Sequence, residues 1–290
     1  MNINEFIMTK LESIQNFQRE LQVKRYAHTT VDNYTTCLIS FLNHYHRFNG
    51  YKSTNDIKDF LITIQTRSYH KQMTATLRLF YTLIVKKEVD LSDIPYPRPT
   101  HYLPQILSVQ EIDRLMRCIP NLKHRAVLQL MYACALRASE PTKIDMPHVD
   151  FDRRTLFIKG SKGAKDRVVP VPAETLDLLF TYINTYRPKK RLFEGQGGDY
   201  TTRSIQQIFH KAVRRAGIIK TVSTHSLRHS RATHLCDVKV DIYKLKEFLG
   251  HNNIKTTEIY LHLSKLSLVN HLAEADKLIA ATLFKQLEAA

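Results

Sequence analysis

Four prolines within about ten residues constrain the fold of this chain more than any other feature: Pro95, Pro97, Pro99 and Pro104. Proline fixes its own φ, lacks a backbone N–H and keeps the preceding residue out of the helical region. A helix or central strand therefore cannot run through this segment. We predict a proline-rich linker over residues 95–106, which divides the 290-residue chain into domains at residues 1–94 and 107–290.

The charge of the chain is unbalanced and unevenly distributed. Its 43 Lys and Arg exceed its 27 Asp and Glu, which gives a formal net charge of +16. Residues 1–99 contain 13 basic and 9 acidic side chains, a net of +4, so +12 belongs to residues 100–290. Such a surplus favours a polyanionic partner, because contacts with phosphates release condensed counterions. Nucleic acid is the first candidate and an anionic membrane surface is the second.

Other features narrow the class of protein. No stretch approaches the roughly 18 apolar residues that would cross a bilayer, and the first 20 residues lack the blocks of an export signal. The cysteines are far apart and form no CxxC pair, so we expect buried thiols rather than disulfides or a zinc ribbon. They are Cys37, Cys118, Cys134 and Cys236. These features predict a cytoplasmic protein.

The region before the linker has the periodicity of helices. We predict four helices, which cover about residues 4–22, 31–48, 56–66 and 73–87. The second carries one apolar face, made of Tyr34, Leu38, Phe41, Leu42 and Tyr45. Its expected N-cap is Thr29 or Thr30, and that of the third helix is Thr54 or Asn55.

The region after the linker mixes helices with a β-hairpin. TLFIKG and RVVPVP flank a short glycine-containing turn, which predicts a hairpin with a basic tip. Helical patterns predict the other elements, at residues 123–140, 173–186, 202–217, 226–238, 241–250, 256–263 and 266–288. The predicted fold class is therefore mainly α with a small β-hairpin or sheet, of the α+β type.

Two short motifs in this region carry side chains suited to an anion. Within THSLRH, His225 and Arg228 lie one turn apart at the positive end of a helix, with Thr224 as the expected N-cap. In GSKGAKDR, Lys162 lies on the hairpin turn, either as a proton donor in a cleft or as a solvated tip. Taken alone, each motif is more typical of a solvated surface. His225 and His229 form HxxxH without the glutamate of a zinc helix, so we predict no metal site.

Tyr260 lies in LGHNNIKTTEIY, in the first turns of the helix that follows Gly250 and His251. A tyrosine hydroxyl is a poor nucleophile at its ordinary pKa of about 10, so it needs cations or a base beside it. Taken alone, this residue is more typical of a core or interface aromatic. Only its combination with other motifs favours a chemical role.

Together, these motifs resemble those of the tyrosine recombinases, also called the phage integrase family. The matching residues are, in chain order, Arg137 in ALRASE, Lys162 in GSKGAKDR, His225 and Arg228 in HSLRH, and His251 and Tyr260 in LGHNNIKTTEIY. The helical region before the linker resembles the SAM-like core-binding domain of the family, and the region after it resembles the catalytic domain. The compact length and the LGH and HSLRHS forms are most similar to Xer-like and integron or transposon integrases.

The resemblance implies an enzyme that cleaves and rejoins duplex DNA. Tyr260 would attack the scissile phosphate and form a 3′-phosphotyrosyl link. Arg137 and Arg228 would clamp the non-bridging oxygens, because planar guanidinium groups suit bidentate phosphate contacts. His251 would hydrogen-bond the same phosphate.

The resemblance also implies how protons move in the reaction. Lys162, with Lys165 as the alternative, would protonate the leaving 5′-oxygen, and His225 would accept the proton of the tyrosine. The covalent link conserves the energy of the phosphodiester, so the reaction would need neither metal nor ATP. We therefore expect no cofactor.

Two positions depart from the family pattern. Ala135 and Pro141 stand where relatives commonly have glycine and leucine. Proline is tolerated only in the first turn of a helix, so we expect a break close to Arg137. Glu140 fits two interpretations equally well, an orienting partner of a neighbouring cation or a carboxylate at a helix start.

The resemblance implies further contacts with DNA. TRSIQQIFHKAVRRAG resembles the helix of the catalytic domain that approaches the major groove. The expected DNA-binding residues are Lys71, Arg78, Lys165, Arg203, Lys211 and Arg214. For Lys71 and Arg78, about two helical turns apart, a simply solvated face is the alternative.

The expected partners are a double-stranded recombination site and three further copies of the chain. Members of the family recombine as a homotetramer, with a monomer or dimer possible off DNA. The segment 266–288 resembles the helix that is passed to a neighbouring subunit, although it also suits packing within its own subunit. The alternatives are a monomeric type IB topoisomerase-like enzyme and a DNA-binding architectural protein without activity. The latter predicts the loss of a catalytic cation, and none is missing.

Overall fold

The computed structural model describes residues 10–45, 52–86, 94, 96–97, 103–160, 166–195 and 200–264. It divides the chain into two compact units, Met1–His101 and Tyr102–Ala290. Helices dominate both, and the second adds a small antiparallel sheet. This architecture confirms the predicted fold class. Among the described residues, no helix has the length and apolar character needed to cross a membrane.

The first unit contains the four predicted helices with shifted ends. They are α1 Lys10–Val23, α2 His28–His44, α3 Thr54–Ile62 and α4 Arg67–Phe80, and a π-helical turn follows at Tyr81–Val85. The fourth helix begins six residues earlier than predicted, because its polar first turn has no apolar periodicity to mark it. The part of the first predicted helix that precedes residue 10 lies outside the described residues.

Aromatic pairs join the helices of this unit within a core that is otherwise mainly aliphatic. Phe17 of α1 packs edge-on against Phe80 of α4, with ring centroids 5.7 Å apart, and Phe41 of α2 packs similarly against Phe60 of α3 at 5.2 Å. Such edge-to-face pairs stabilise a core beyond the area they bury. The apolar face predicted for α2 is confirmed, with its central residues fully buried and its two tyrosines packed at the margin.

The N-caps predicted for this unit are wrong. Helix α2 begins after Ala27, which offers no capping side chain, so Thr29 and Thr30 lie within its first turn. Helix α3 is capped by Ser53, whose hydroxyl accepts from the backbone N–H of Asp56 while the Asp56 carboxylate accepts from that of Ser53. This reciprocal capping box satisfies two backbone donors at once and therefore sets the start of the helix one residue earlier.

The second unit holds seven helices among its described residues. They are α5 Val109–Arg117, α6 Leu122–Ala133, α7 Ala173–Tyr186, α8 Thr202–Arg215, α9 Thr224–Asp237, α10 Ile242–Leu249 and α11 Lys255–Leu263. Helix α5 is absent from the sequence-based set, although Ser108 and Glu111 form a capping box at its start. The predicted segment 266–288 lies outside the described residues.

The sheet of the second unit contains the predicted hairpin and one additional short strand. Its strands are β1 Val149–Asp150, β2 Thr155–Ile158 and β3 Arg167–Pro170, hydrogen-bonded antiparallel in the order β1-β2-β3. Leu156 pairs with Val169, and both are buried against the main core. Alternation along β3 places Arg167 on this same buried face.

A smaller apolar cluster in the second unit supports the functional side chains. It joins Ala135, beyond the end of α6, to α9, α10 and α11, and its buried residues are Ala135, Ala232, Cys236, Leu245, Leu249 and Tyr260. Four separate segments therefore meet beside Tyr260. All four cysteines of the chain are free, and three of them are buried while Cys118 is partly exposed.

Candidate active site

The chain breaks out of α6 just before Arg137. The helix ends at Ala133, Ala135 has a φ of +47°, and Pro141 opens a short 3-10 turn. This confirms the predicted break. In this left-handed region a Cβ costs about 1–2 kcal/mol, so glycine would fit position 135 with less strain than alanine. The break places Arg137 on a turn, where its side chain is 27% exposed.

Glu140 is buried between two arginines. Its carboxylate accepts from Nη1 of Arg137 at 2.9 Å and from Nη1 and Nη2 of Arg167 at 2.9 and 2.8 Å. Burial alone would raise the pKa of Glu140, but hydrogen bonds and charge from Arg167, helped by Arg137, hold it below its usual value. Of the two interpretations left open by the sequence, Glu140 therefore orients neighbouring cations.

Sequence reasoning missed Arg167. The sequence signal that could have identified it is a basic residue at an inward-facing position of a predicted strand, because a buried charge needs a partner. Besides Glu140, its Nε donates to the carbonyl of Phe248 at 3.1 Å, so it joins β3 to the end of α10. Gly250 ends that helix with a φ of +65°, and a Cβ there would lie 2.9 Å from Cδ of Arg167. Only glycine accepts both the left-handed φ and the close approach of the Arg167 side chain.

Arg228 connects three segments from within the core. It lies on α9, is 3% exposed, and donates at 2.6 Å to the carbonyls of Ala135 and Leu249. Burial, with the charge of Arg137 next, lowers its pKa to about 10, so it stays protonated at neutral pH. Helix α9 is capped by Ser223 rather than by Thr224, which is the first helical residue.

His251 lies between Arg228 and Thr257. Its Nε2 is 3.0 Å from Nη2 of Arg228, and its Nδ1 is 2.9 Å from Oγ1 of Thr257. A guanidinium group only donates, so Nε2 accepts and Nδ1 carries the proton that is donated to Thr257. Burial and the nearby arginines lower the pKa of His251 to about 4, so its imidazole is neutral.

Tyr260 projects from the second turn of α11 into this cluster and is 2% exposed. Its hydroxyl is 3.0 Å from Nδ1 of His229. The ring of His251 is stacked against the ring of Tyr260, with centroids 6.4 Å apart. Burial raises the pKa of Tyr260, while the charges of Arg228 and Arg137 act in the opposite direction. The phenol thus lies in the cationic setting that a nucleophilic tyrosine requires.

His225 occupies the exposed rim of the cluster at the start of α9. Its ring is edge-on to that of His229, with centroids 5.4 Å apart. Desolvation and the charges of Arg228 and Arg137 lower its pKa. His229 is the second residue that sequence reasoning missed as a member of the site, since the HxxxH spacing was considered only for zinc. Among the described residues, no group of three His, Cys, Asp or Glu is placed to hold a metal.

The structure thus brings together five of the six expected catalytic residues: Arg137, His225, Arg228, His251 and Tyr260. They come from the turn after α6, from α9, from the end of α10 and from α11. Lys162 and its alternative Lys165 lie in 161–165, outside the described residues. The strands β2 and β3 on either side of that segment are described.

Three of the expected DNA-binding residues of the second unit, Arg203, Lys211 and Arg214, share one face of α8, whereas Lys165 lies outside the described residues. Ile205, Phe209, Ala212 and Val213 are buried on the inner face of this helix. The opposite, exposed face carries Arg203, Gln206, Gln207, His210, Lys211 and Arg214. The two glutamines and the histidine are not among the expected residues, because the prediction considered only charged side chains.

In the first unit, the two expected DNA contacts differ in their surroundings. Lys71 of α4 is exposed. Arg78 is half-buried, donates from Nη2 to the carbonyl of Ile94 at 2.7 Å and stacks on the ring of Tyr96. Its guanidinium group therefore ties the chain that follows α4 to this helix.

Comparisons with known proteins agree with the site. The model of the phage integrase family matches residues 105–266. A putative integrase/recombinase of Sinorhizobium fredii is 30% identical and covers 90% of this chain and 86% of its own length. The tyrosine recombinase XerC of Halalkalibacterium halodurans is 32% identical, over 69% of this chain and 72% of its own.

Solved structures give the same fold. The XerH site-specific recombinase, in a post-cleavage complex with its palindromic difH substrate, matches with a TM-score of 0.73 at 19% identity. The match covers 91% of this chain and 84% of XerH. The family model spans more than half of the chain, and the match to the Sinorhizobium relative covers 90% of the chain. This protein therefore belongs to the phage integrase family, the tyrosine recombinases.

Proposed function

We propose that this protein is a site-specific recombinase that cleaves and rejoins duplex DNA through Tyr260. The observation that carries the proposal is the convergence of the buried phenol of Tyr260 with the guanidinium groups of Arg137 and Arg228 and the imidazole of His251. These groups come from separate segments of the chain. A phosphate is the ligand whose charge and geometry such a set fits.

The two arginines bind the scissile phosphate before and during attack. Arg137 is the more exposed of the two: its Nη1 donates to Glu140 and its Nη2 to the carbonyl of Gly250 at 3.3 Å, and 27% of its side chain remains open to solvent. Arg228 donates to two backbone carbonyls and to Nε2 of His251, and a phosphate oxygen is a stronger acceptor than a neutral imidazole. The phosphate would therefore replace His251 as a partner of Arg228, and His251 would turn its ring toward the phosphate.

Cleavage exchanges one phosphoester for another. The Tyr260 oxygen forms a bond to phosphorus as the bond between phosphorus and the 5′-oxygen breaks. The departing oxygen takes a proton from Lys162, and the phenolic proton passes to a base, for which His225 is the candidate. Attack by the 5′-hydroxyl of another strand reverses these steps. The chemistry is isoenergetic, so ATP is not required, and in this proposal Arg137 and Arg228 take the place of a metal ion in offsetting the charge of the phosphate.

The exposed face of α8 reads or binds the DNA beside the cleavage point. Arginine recognises guanine and glutamine recognises adenine through paired hydrogen bonds in the major groove. Gln206 and Gln207 are the candidate base readers, and Arg203, Lys211 and Arg214 supply phosphate or guanine contacts. Lys71 adds a phosphate contact from the first unit. The net charge of +16 makes binding weaken steeply with salt.

Recombination by this chemistry needs four active sites, since two duplexes carry four strands. We propose a homotetramer on two recombination sites, assembled from monomers or dimers off DNA, in the cytoplasm. The support is the family resemblance together with one active site per chain. Exchange of segment 266–288 between neighbouring subunits would complete this assembly.

A suicide substrate tests the proposed function. The recombination site is first selected from randomised duplexes by binding and is mapped by footprinting. In the suicide substrate, a nick near the cleavage point lets the short fragment that carries the new 5′-hydroxyl diffuse away. We expect the parent protein to accumulate as a covalent DNA adduct, and Tyr260→Phe to bind the same DNA without forming it. Equal trapping by Tyr260→Phe would show that the nucleophile is another residue. Loss of trapping on adding a chelator would show that a metal is needed.

A further inference from the structure

In this structure the hydroxyl of Tyr260, the proposed nucleophile, contacts His229 as well as lying beside Arg228. Nδ1 of His229 lies 3.0 Å from the hydroxyl of Tyr260, and the two rings are tilted by 44° with centroids 5.7 Å apart. His225, the residue expected to act on the tyrosine, contacts the ring of His229 instead. His229 is therefore placed to control where the Tyr260 hydroxyl points.

The direction of this hydrogen bond follows from the surroundings of His229. The ring is half-buried and lies beside Arg228 and His225, so a positive charge on it is unfavourable. Burial and these two neighbours lower the pKa of His229 to about 4. A neutral imidazole has one bare nitrogen, and a phenol is a strong donor, so the Tyr260 O–H donates to Nδ1.

This bond keeps the phenol protonated and fixes its torsion. Burial already raises the pKa of Tyr260, and a neutral acceptor does not draw the proton away. The lone pairs of the oxygen are then directed away from His229. Since α9 carries both His229 and Arg228, the same helix positions the nucleophile and one phosphate clamp.

We propose that His229 is a positioning residue that holds the Tyr260 hydroxyl for in-line attack. This inference rests on the proposed function of Tyr260 as the nucleophile. It assigns His229 a role distinct from proton transfer, which stays with His225. The role requires only a hydrogen-bond acceptor at the place of Nδ1, and it does not require a titratable group.

A second tyrosine–histidine contact, whose histidine also belongs to α9 and whose tyrosine belongs to α6, supplies a matched control. Nδ1 of His234 lies 2.9 Å from the hydroxyl of Tyr132, and His234 is also partly buried on α9. The His234→Ala variant removes a bond of the same kind outside the cluster of Tyr260. Its effect on folding should match that of His229→Ala, while its effect on cleavage should not.

The test measures the single-turnover rate of covalent adduct formation on the suicide substrate. We expect His229→Ala to slow this rate about three- to tenfold, which corresponds to the loss of one hydrogen bond, and to bind DNA with the affinity of the parent. We expect the rate of His234→Ala to equal that of the parent. His229→Asn should recover most of the rate, because its amide oxygen can accept at the position of Nδ1. An Asn variant as slow as the Ala variant, or an Ala variant as fast as the parent, would overturn the proposal.

A measurement without DNA separates this inference from the proposed function. With 3-fluorotyrosine incorporated at position 260, the ¹⁹F resonance should shift in His229→Ala, return toward the parent in His229→Asn, and stay unchanged in His234→Ala. An unshifted resonance in His229→Ala would overturn the contact itself. If the expected shifts occur and the parent forms no DNA adduct, the proposed nucleophile fails while the contact stands.

Discussion

The buried contact between Glu140 and Arg167 gives the sharpest test of how this site is held together. The Glu140→Gln substitution keeps the shape of the side chain and removes its charge. In the parent, the Glu140 carboxylate receives two bonds from Arg167, which is 8% exposed, and two from Arg137. The glutamine oxygen still accepts from Arg167, but its amide nitrogen faces a guanidinium group that can only donate.

The magnitude follows from leaving a buried charge without its partner. Removing one member of a buried ion pair costs about 3–5 kcal/mol. We expect a value near the lower end, about 3 kcal/mol, because the glutamine oxygen keeps one bond and Arg137 is exposed enough to turn to water. For a unit of this size, that loss lowers Tm by roughly 6–12 °C.

Urea unfolding followed by circular dichroism measures this loss. The matched control is Asp113→Asn, which breaks the exposed pair between Asp113 and Arg117 in the same unit, where the side chains are 54% and 79% exposed. We expect the control to change the free energy of unfolding by less than about 1 kcal/mol. A loss below about 1 kcal/mol for Glu140→Gln would refute the reasoning.

The pH dependence of the same pair has a definite sign. The pKa of Glu140 in the folded protein lies below its ordinary value of 4.5. The carboxylate therefore stabilises the fold fully above that value, and this contribution disappears as pH falls through the lowered pKa. The difference in stability between parent and Glu140→Gln should be constant from pH 7 to pH 5 and shrink at lower pH. A difference that grows on acidification would contradict the assignment.

Three further predictions concern single positions. Gly250→Ala should lower the free energy of unfolding by at least about 1 kcal/mol in urea titrations, because its φ is +65° and Arg167 must move; an unchanged midpoint would contradict this. Ser53→Ala should cost about 1 kcal/mol in the first unit, while Thr54→Ala should cost far less, since only Ser53 caps the helix. Arg203→Ala should reduce the slope of log K against log salt by about 1 if Arg203 contacts a phosphate, which filter binding at several salt concentrations checks.

The elements that could be predicted from the sequence are those that local patterns specify. The β2-β3 hairpin follows from two alternating segments around a glycine-containing turn, and the end of α10 follows from Gly250. Pro141 predicts a break close to Arg137, and the structure places the end of α6 at Ala133. Helix α5 was missed although Ser108 and Glu111 have the spacing of a capping box, and strand β1 was missed because it contains only two residues.

The caps show where local information runs out. Ser53, Thr54 and Asn55 are all good capping residues, so the sequence leaves several possible starts for α3. Selection of Ser53 depends on its reciprocal bonds with Asp56. At the start of α9, Ser223 is likewise preferred to Thr224. In both places the observed cap lies immediately before a predicted cap residue, and that predicted residue is the first of the helix.

The sequence by itself determined the family, the fold class and the identity of the chemical groups, because dispersed motifs keep their residue types and order in a linear chain. Only the tertiary structure decided which of these groups touch. Glu140 meets Arg167 across 27 residues, and His229 meets Tyr260 across 31. Helical periodicity reports neighbours within a few turns, whereas these contacts arise because separate segments share one buried cluster, where each polar group must find a partner.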